Sequence, residues 1–129
     1  MNYYYTTQLH NITFDEAVQK VIAQLQKEGF GVLTEIDMKA TLKKKLDVDF
    51  YNYKILGACN APFAYKALQN EDKIGTMLPC NIIVQEKLYG TIEVSAVNPI
   101  ESMKAIKNEA LGFIATEVNT KLKNVIESL

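Results

Sequence analysis

The sequence predicts a two-layer α+β domain with helices packed on one face of a mainly antiparallel sheet. Three observations support this fold class: five stretches rich in β-branched and aromatic residues, amphipathic helix patterns with clear start signals, and a tight turn between the last two stretches. The chain has 129 residues, 48% of them hydrophobic and 22% charged. This is ordinary composition for one globular domain, so we predict a single domain over residues 1–129.

The first half of the chain alternates strands and helices. Aromatic and β-branched residues predict a strand over residues 3–9. A Thr-x-x-Glu capping box and apolar residues at helical spacing then predict a helix over residues 13–28. A second strand, residues 30–36, leads to Asp37, which suits the N-cap of a short helix that ends at Leu46, with Leu46 facing inward.

Three further strands are predicted over residues 53–59, 78–85 and 91–97. The last two are separated by a short segment that ends in Tyr89-Gly90, which favours a tight turn. We therefore expect these two strands to form an antiparallel hairpin.

Two helices complete the predicted fold. One begins at Asn60 or Ala61, has Pro62 in its first turn, where a missing N–H costs nothing, and ends near Glu71. The other begins after Pro99 and keeps one apolar stripe to the end of the chain, about thirty residues or about 45 Å. Such a helix either bends near Gly112 or packs on a second subunit, and we favour a homodimer.

Four segments carry a family resemblance. They are residues 29–39 (GFGVLTEIDMK), 55–62 (ILGACNAP), 78–84 (LPCNIIV) and 94–99 (VSAVNP). Together they resemble the family known as domain of unknown function 302. The resemblance implies a two-layer fold with helices on one face of a mainly antiparallel sheet, and a dimer. It implies no substrate, cofactor or catalytic residue. Ala61 departs from the family pattern, in which proline is usual at this position.

Charge and hydropathy argue against several partners. The formal net charge is -1, whereas proteins that bind nucleic acid generally carry a basic surplus, so we expect no nucleic-acid partner. The only lysine run, residues 43–45, is interpreted as a solvated helix face. No apolar run reaches the ~20 residues that a membrane helix needs, and the N-terminus lacks a secretory pattern. We expect a cytoplasmic protein with no membrane partner and with two free thiols.

Two cysteines mark the candidate ligand site. Each is followed by asparagine, lies at the end or start of a predicted strand, and has small or proline residues nearby. A thiol at the start of the helix after the third strand is also in the setting that activates cysteines, although free cysteine more often serves as a small hydrophobe. The candidate ligand-binding residues are Gly57, Cys59, Asn60, Pro79, Cys80 and Asn81.

Other candidate groups are weaker. Glu35 and Asp37 share a face of an extended segment and could act as acid and base, but Asp37 also suits a helix cap. Glu93 and Ser95 share a face in the same way, without an identified partner. One histidine, His10, and two cysteines are too few for a typical zinc site, so we predict no metal, and no cofactor is indicated.

Three functions remain open. The favoured hypothesis is a dimeric domain that binds a small ligand near the Gly-Ala-Cys-Asn and Pro-Cys-Asn segments, because convergent polar groups in a concave site are typical of ligand pockets. The first alternative is a thiol-dependent redox enzyme or sensor that uses Cys59. The second is a structural or interaction module. Whether the chain is an enzyme is left undecided.

Overall fold

The structure is a computed structural model that describes residues 2–129. Its strands are β1 (Tyr4–His10), β2 (Gly31–Asp37), β3 (Asn52–Cys59), β4 (Cys80–Leu88) and β5 (Thr91–Val97). Its helices are α1 (Phe14–Lys27), α2 (Met38–Leu46), α3 (Ala61–Asn70), α4 (Pro99–Ser102) and α5 (Glu109–Glu127), with a 3₁₀ helix over Asp72–Met77. The strands form one five-stranded sheet in the order β1-β5-β4-β3-β2, and every neighbouring pair is antiparallel. The predicted α+β class is confirmed.

The predicted helix starts are present as hydrogen bonds. The Thr13 hydroxyl accepts from the Glu16 N–H at 3.1 Å, and the Asp37 carboxylate accepts from the Ala40 N–H at 2.9 Å. Each bond satisfies one of the N–H groups that a helix N-terminus leaves without a partner. The predicted hairpin of β4 and β5 is also confirmed, with Gly90 at a φ of +87° in the turn, a conformation that glycine adopts without strain.

The C-terminal segment corrects one prediction. It forms two helices, α4 and α5, separated by residues 103–108, instead of the single helix of about thirty residues that the apolar stripe predicted. Side-chain caps explain the division: the Asn98 Oδ1 accepts from the Ile100 N–H at 3.0 Å, and the Asn108 Oδ1 accepts from the Ala110 N–H at 3.1 Å. A second cap inside the apolar pattern starts a new helix, and asparagine is among the best residues for that role.

A second correction concerns α2. Leu46, predicted to face inward, is 66% exposed, and none of the residues of α2 is buried. The apolar spacing in this short helix therefore marks an exposed surface of the single chain instead of a core contact.

The core lies between the sheet and the long helices α1 and α5. Leu56 of β3 and Ile82 of β4 are opposite each other and fully buried, and they share the core with Val21 of α1 and Leu122 of α5. The alternate residues of the same strands point to the opposite face. That face carries Ile83, and we call it the open face.

Antiparallel order brings one set of strand termini together. β3 and β5 end, and β1, β2 and β4 begin, at the same end of the sheet. Because Cys59 ends β3 and Cys80 begins β4, we call this the cysteine end. None of the helices in the described chain has the length and apolar composition needed to cross a bilayer.

Candidate functional site

A cavity of about 250 Å³ opens at the cysteine end. Ala58 is the register partner of Cys80, so the two cysteines lie on neighbouring strands, one residue apart in register. Both cysteines line the cavity, together with Asn60 and Pro79. The opposite wall is apolar and comes from α3, α5 and the segment between α4 and α5. Its members include Phe63, Ala64, Ala67, Leu68, Met103, Ile114, Ala115 and Val118.

The two thiols have different environments. Cys80 is buried, whereas Cys59 is partly exposed. Burial raises the pKa of Cys80 from 9.0 to about 11, and the neighbouring Cys59 contributes to the rise. Cys80 is therefore a protonated, weakly nucleophilic thiol at neutral pH. Its burial fits the general behaviour of free cysteine as a small hydrophobe.

Asn60 connects the site to α1. Its side chain is only 8% exposed, and its Nδ2 donates to the backbone carbonyl of Glu28 at 3.3 Å, where α1 ends. Gly29, the next residue, has a φ of +85°, and a Cβ there would lie 3.1 Å from the Asn60 amide nitrogen. Glycine is thus required both by the turn and by the close approach of Asn60. Asn60 occupies the N-cap position of α3 but makes no capping hydrogen bond with its side chain.

Two of the six predicted ligand residues lie outside the cavity. Gly57 and Asn81 are register partners on the open face, because their parity in the strands is opposite to that of Leu56 and Ile82. A Cβ on Gly57 would overlap the Thr34 hydroxyl and the Pro79 ring, which explains the glycine by packing. The peptide bond before Pro79 is cis. Cys59, Asn60, Pro79 and Cys80 are therefore among the residues that line the cavity, whereas Gly57 and Asn81 are not. Cys59 has the same strand parity as Gly57, and Cys80 has that of Ile82.

The acidic pair is used structurally. Glu35 accepts from the Lys54 ammonium at 2.9 Å, and this hydrogen bond is the main reason that the pKa of Lys54 is raised. Asp37 caps α2. Sequence spacing indicated the cap but not Lys54, which is adjacent only through the pairing of β2 with β3. Among residues 2–129, no group of three or more histidine, cysteine, aspartate or glutamate side chains has the arrangement of a metal site.

Sequence reasoning missed the apolar wall of the cavity. Phe63 and Ala64 lie in the first turns of α3, and Ile114 and Val118 lie one helical turn apart on α5. The i, i+4 spacing on α5 was visible as part of the C-terminal stripe. The sequence pattern assigned these residues to a continuous core, because it does not show where the packing of two elements leaves a gap.

The fold and the cavity define a class: a small two-layer α+β domain with an apolar cavity at one end of its antiparallel sheet. The sequence profile of the family described as "Domain of unknown function DUF302" matches residues 5–129. The chain belongs to this family.

A solved structure supports the same assignment. The chain is similar to an uncharacterised conserved DUF302 protein from Bacillus stearothermophilus, with 26% sequence identity and a TM-score of 0.86. The alignment covers 97% of this chain and 96% of that one, so the architecture is shared from end to end. The comparison with curated proteins finds no match.

Proposed function

We propose that the protein binds a small apolar ligand in the cavity at the cysteine end, and that it acts as a homodimer. The observation that supports binding is the cavity itself, about 250 Å³ with walls made mostly of apolar side chains. Well-packed interiors contain few voids larger than a water molecule. A larger space with apolar walls takes up small apolar molecules.

The lining limits the chemistry of the ligand. An apolar cavity of about 150 Å³ holds benzene, so this cavity has room for a bicyclic aromatic ring or a short alkyl chain. The lining residues include Cys59 and Asn60, but the lining surface is almost entirely apolar. A mostly apolar ligand with at most one polar group, such as indole or hexanol, matches this lining.

The binding proposal is tested with indole and two matched variants of α3. Ala64 lines the cavity, whereas Ala61 is exposed on the same helix and does not. We expect indole to raise the melting temperature of the wild type and of Ala61→Leu, but not that of Ala64→Leu, in which the larger side chain fills the cavity. Amide chemical shifts of Ala58 and Phe63 should respond in the first two proteins only. If neither indole nor hexanol changes these amides at millimolar concentration, the proposal is wrong.

Exposed apolar residues at β2 and α2 support the homodimer. Leu33 is 67% exposed on β2, an edge strand, and Leu46 is 66% exposed at the end of α2. Lys45 and Asp47 flank Leu46 in the sequence and carry opposite charges, and Asp47 also pairs with Lys43 at 3.0 Å. The chain around Leu46 thus carries both signs, which is compatible with a two-fold contact between identical surfaces. Leu33 also lines the cavity, so a partner over β2 would narrow its opening.

Light scattering coupled to size exclusion tests this interface. We expect the wild type to elute as a dimer and Leu46→Lys as a monomer, because the substitution places two ammonium groups in an apolar contact. Tyr89→Lys, at the fully exposed hairpin turn, is the control and should remain dimeric. A monomeric wild type at high micromolar concentration would contradict the dimer without affecting the cavity proposal.

A thiol-dependent function is the competing proposal. Cys59 is partly exposed, is one of the residues that line the cavity, and lies near the start of α3, whose N-cap residue accepts no capping hydrogen bond with its side chain. Iodoacetamide alkylation in a Cys80→Ala background separates the two proposals. Ligand binding alone predicts that Cys59 reacts no faster than free cysteine at neutral pH, and a much faster reaction would favour the thiol function.

A further inference from the structure

A second recess lies on the open face of the sheet, separate from the cavity at the cysteine end. Its volume is about 460 Å³, which is within the range of small-molecule sites. Residues of β4 and β5 form its floor, and tyrosines from the N-terminal segment and from β3 lie beside it. Unlike the first cavity, it contains charged and polar side chains.

The floor of the recess contains two polar side chains that are more than nine-tenths buried. Ser95 is 6% exposed, and its hydroxyl donates to the Thr6 hydroxyl at 3.0 Å. Gln85 is 7% exposed, and its Nε2 donates to the Tyr51 hydroxyl at 3.5 Å. Within residues 2–129, no partner donates to the Gln85 Oε1, although no fully buried side-chain polar atom there lacks a partner. The Oε1 is therefore an acceptor that opens into the recess.

Opposite charges lie next to this acceptor. Glu93 is the register partner of Gln85, and Lys87 follows Gln85 by two residues at an irregularity of β4. Lys87 and Glu93 are thus near-neighbours on adjacent strands, although the irregularity takes Lys87 out of the regular register. Both side chains line the recess, yet neither forms an ion pair with any residue of the described chain. Glu93 is half-buried, and a half-buried carboxylate is stabilised by a nearby cation. Within the described residues, no cation pairs with Glu93.

Tyrosines provide an apolar side to the recess. Tyr53 is half-buried, and burial, followed by the nearby Tyr51 and Tyr3 hydroxyls, raises its pKa. Tyr53 therefore stays a neutral phenol at neutral pH. Tyr3 is mostly exposed and lines the same recess. Two aromatic side chains beside a concave surface favour a planar ring, because offset or edge-to-face contacts between rings are favourable.

We propose that this recess binds a free aromatic α-amino acid. The ammonium group pairs with the Glu93 carboxylate and donates to the Gln85 Oε1, the carboxylate pairs with the Lys87 ammonium, and the ring packs against Tyr3 and Tyr53. The argument for this ligand is charge complementarity. An α-amino acid carries both signs on one carbon, and the recess offers one unpaired group of each sign at neighbouring positions.

The test uses three probes that differ in their charged groups. L-Phenylalanine carries both, 2-phenylethylamine lacks the carboxylate, and 3-phenylpropanoate lacks the ammonium. We expect L-phenylalanine to bind the wild type most tightly in amide-shift titrations. Glu93→Gln should weaken binding of phenylalanine and phenylethylamine by on the order of tenfold, equivalent to about 1.4 kcal/mol, with no effect on phenylpropanoate. Lys87→Met should weaken phenylalanine and phenylpropanoate only.

The control is Lys73→Met, which removes an exposed lysine outside the recess and should leave all three affinities unchanged. Equal thermal stability of the variants ensures that binding is compared between folded proteins. No binding of L-phenylalanine at millimolar concentration would overturn the proposal. The proposal would also be overturned if neither substitution changed the affinities, or if the changes in amide chemical shift were confined to the cysteine end. Concentration-dependent shifts of the open face without ligand would instead indicate a second copy of the chain on this surface, and would also overturn it.

Discussion

The two faces of the sheet carry recesses of different chemical character. The cavity at the cysteine end lies beneath helices α3 and α5 and is almost entirely apolar, whereas the recess on the open face contains Gln85, Glu93 and Lys87. Residues beneath packed helices are mostly apolar, because burial of an unpaired polar group is costly. Polar residues occur on the uncovered face, where water reaches them. The period of two residues along each strand therefore separates two kinds of binding surface within one small domain.

The largest effect is expected from substitution of two consecutive isoleucines on β4, one on each face of the sheet. Ile82 is fully buried against the helices, and Ile83 is partly buried on the open face. We expect Ile82→Ala to lower the free energy of unfolding by about 2–5 kcal/mol, because it removes buried methylene groups and leaves a void. Ile83→Ala should cost less than half as much in the same urea titration. Equal losses would mean that the open face is covered in the folded protein.

Cys80, which is buried on the face of the sheet that the helices cover, makes the stability of the protein depend on pH. Its folded pKa of about 11 lies above the 9.0 of a free thiol, so the folded state holds the proton more tightly. This contribution to stability is complete below about pH 8.5 and is lost as the pH rises to about 11. The loss amounts to about 2–3 kcal/mol, at about 1.4 kcal/mol for each pH unit.

Urea unfolding between pH 8 and pH 11 measures this loss. The slope of unfolding free energy against pH should be shallower for Cys80→Ala than for the wild type. Cys59→Ala should retain most of the wild-type slope, because burial is the larger cause of the shift and Cys59 the smaller. Identical slopes in all three proteins would show that burial does not raise the pKa of Cys80, and that water reaches the face of the sheet that the helices cover.

Gly57 tests the close packing at the boundary between the two recesses. Gly57→Ala places a methyl group against the Thr34 hydroxyl and the Pro79 ring, and we expect a loss of about 1–3 kcal/mol in unfolding free energy. Gly31→Ala, where nothing lies within 4 Å of the added Cβ, is the matched control at the cysteine end and should change stability by less. A neutral Gly57→Ala would contradict the packing explanation and reopen a ligand role for this glycine.

The smallest effect is expected at the Glu35–Lys54 ion pair. Its side chains remain partly exposed, and such pairs contribute at most about 1 kcal/mol. Glu35→Gln should therefore change the melting temperature slightly and leave indole binding unaltered. Loss of indole binding in this variant would show that the acidic group acts on the ligand site.

Local signals predicted most of the fold. The capping box before α1, the Asp37 cap of α2, the proline in the first turn of α3 and the turn at Gly90 all act within a few residues, so the sequence displays them directly. The break between α4 and α5 was missed because its apolar stripe continues through the gap. Asn108, the residue that starts α5, was visible but was not recognised as a cap.

The site was predicted in part. Strand termini indicated that Cys59 and Cys80 would lie on neighbouring strands at one end of the sheet, because Cys59 ends one predicted strand and Cys80 lies near the start of the next. The period of two that places Asn81 on the opposite face was available but was not applied to the Cys-Asn pairs. The Lys54 partner of Glu35 and the gap beside Phe63 depend on strand register and helix packing, which residue spacing along one chain does not specify.

The strand order has a consequence for biosynthesis. β1 is synthesised before the other four strands, yet among residues 2–129 its neighbour in the sheet is β5 alone, with Tyr4 paired to Val97 across 93 residues (97 − 4). Until β5 emerges, the backbone hydrogen-bonding groups and the aromatic side chains of β1 have no strand to pair with. Completion of the sheet is thus a late event, and truncation before β5 leaves β1 without its partner strand.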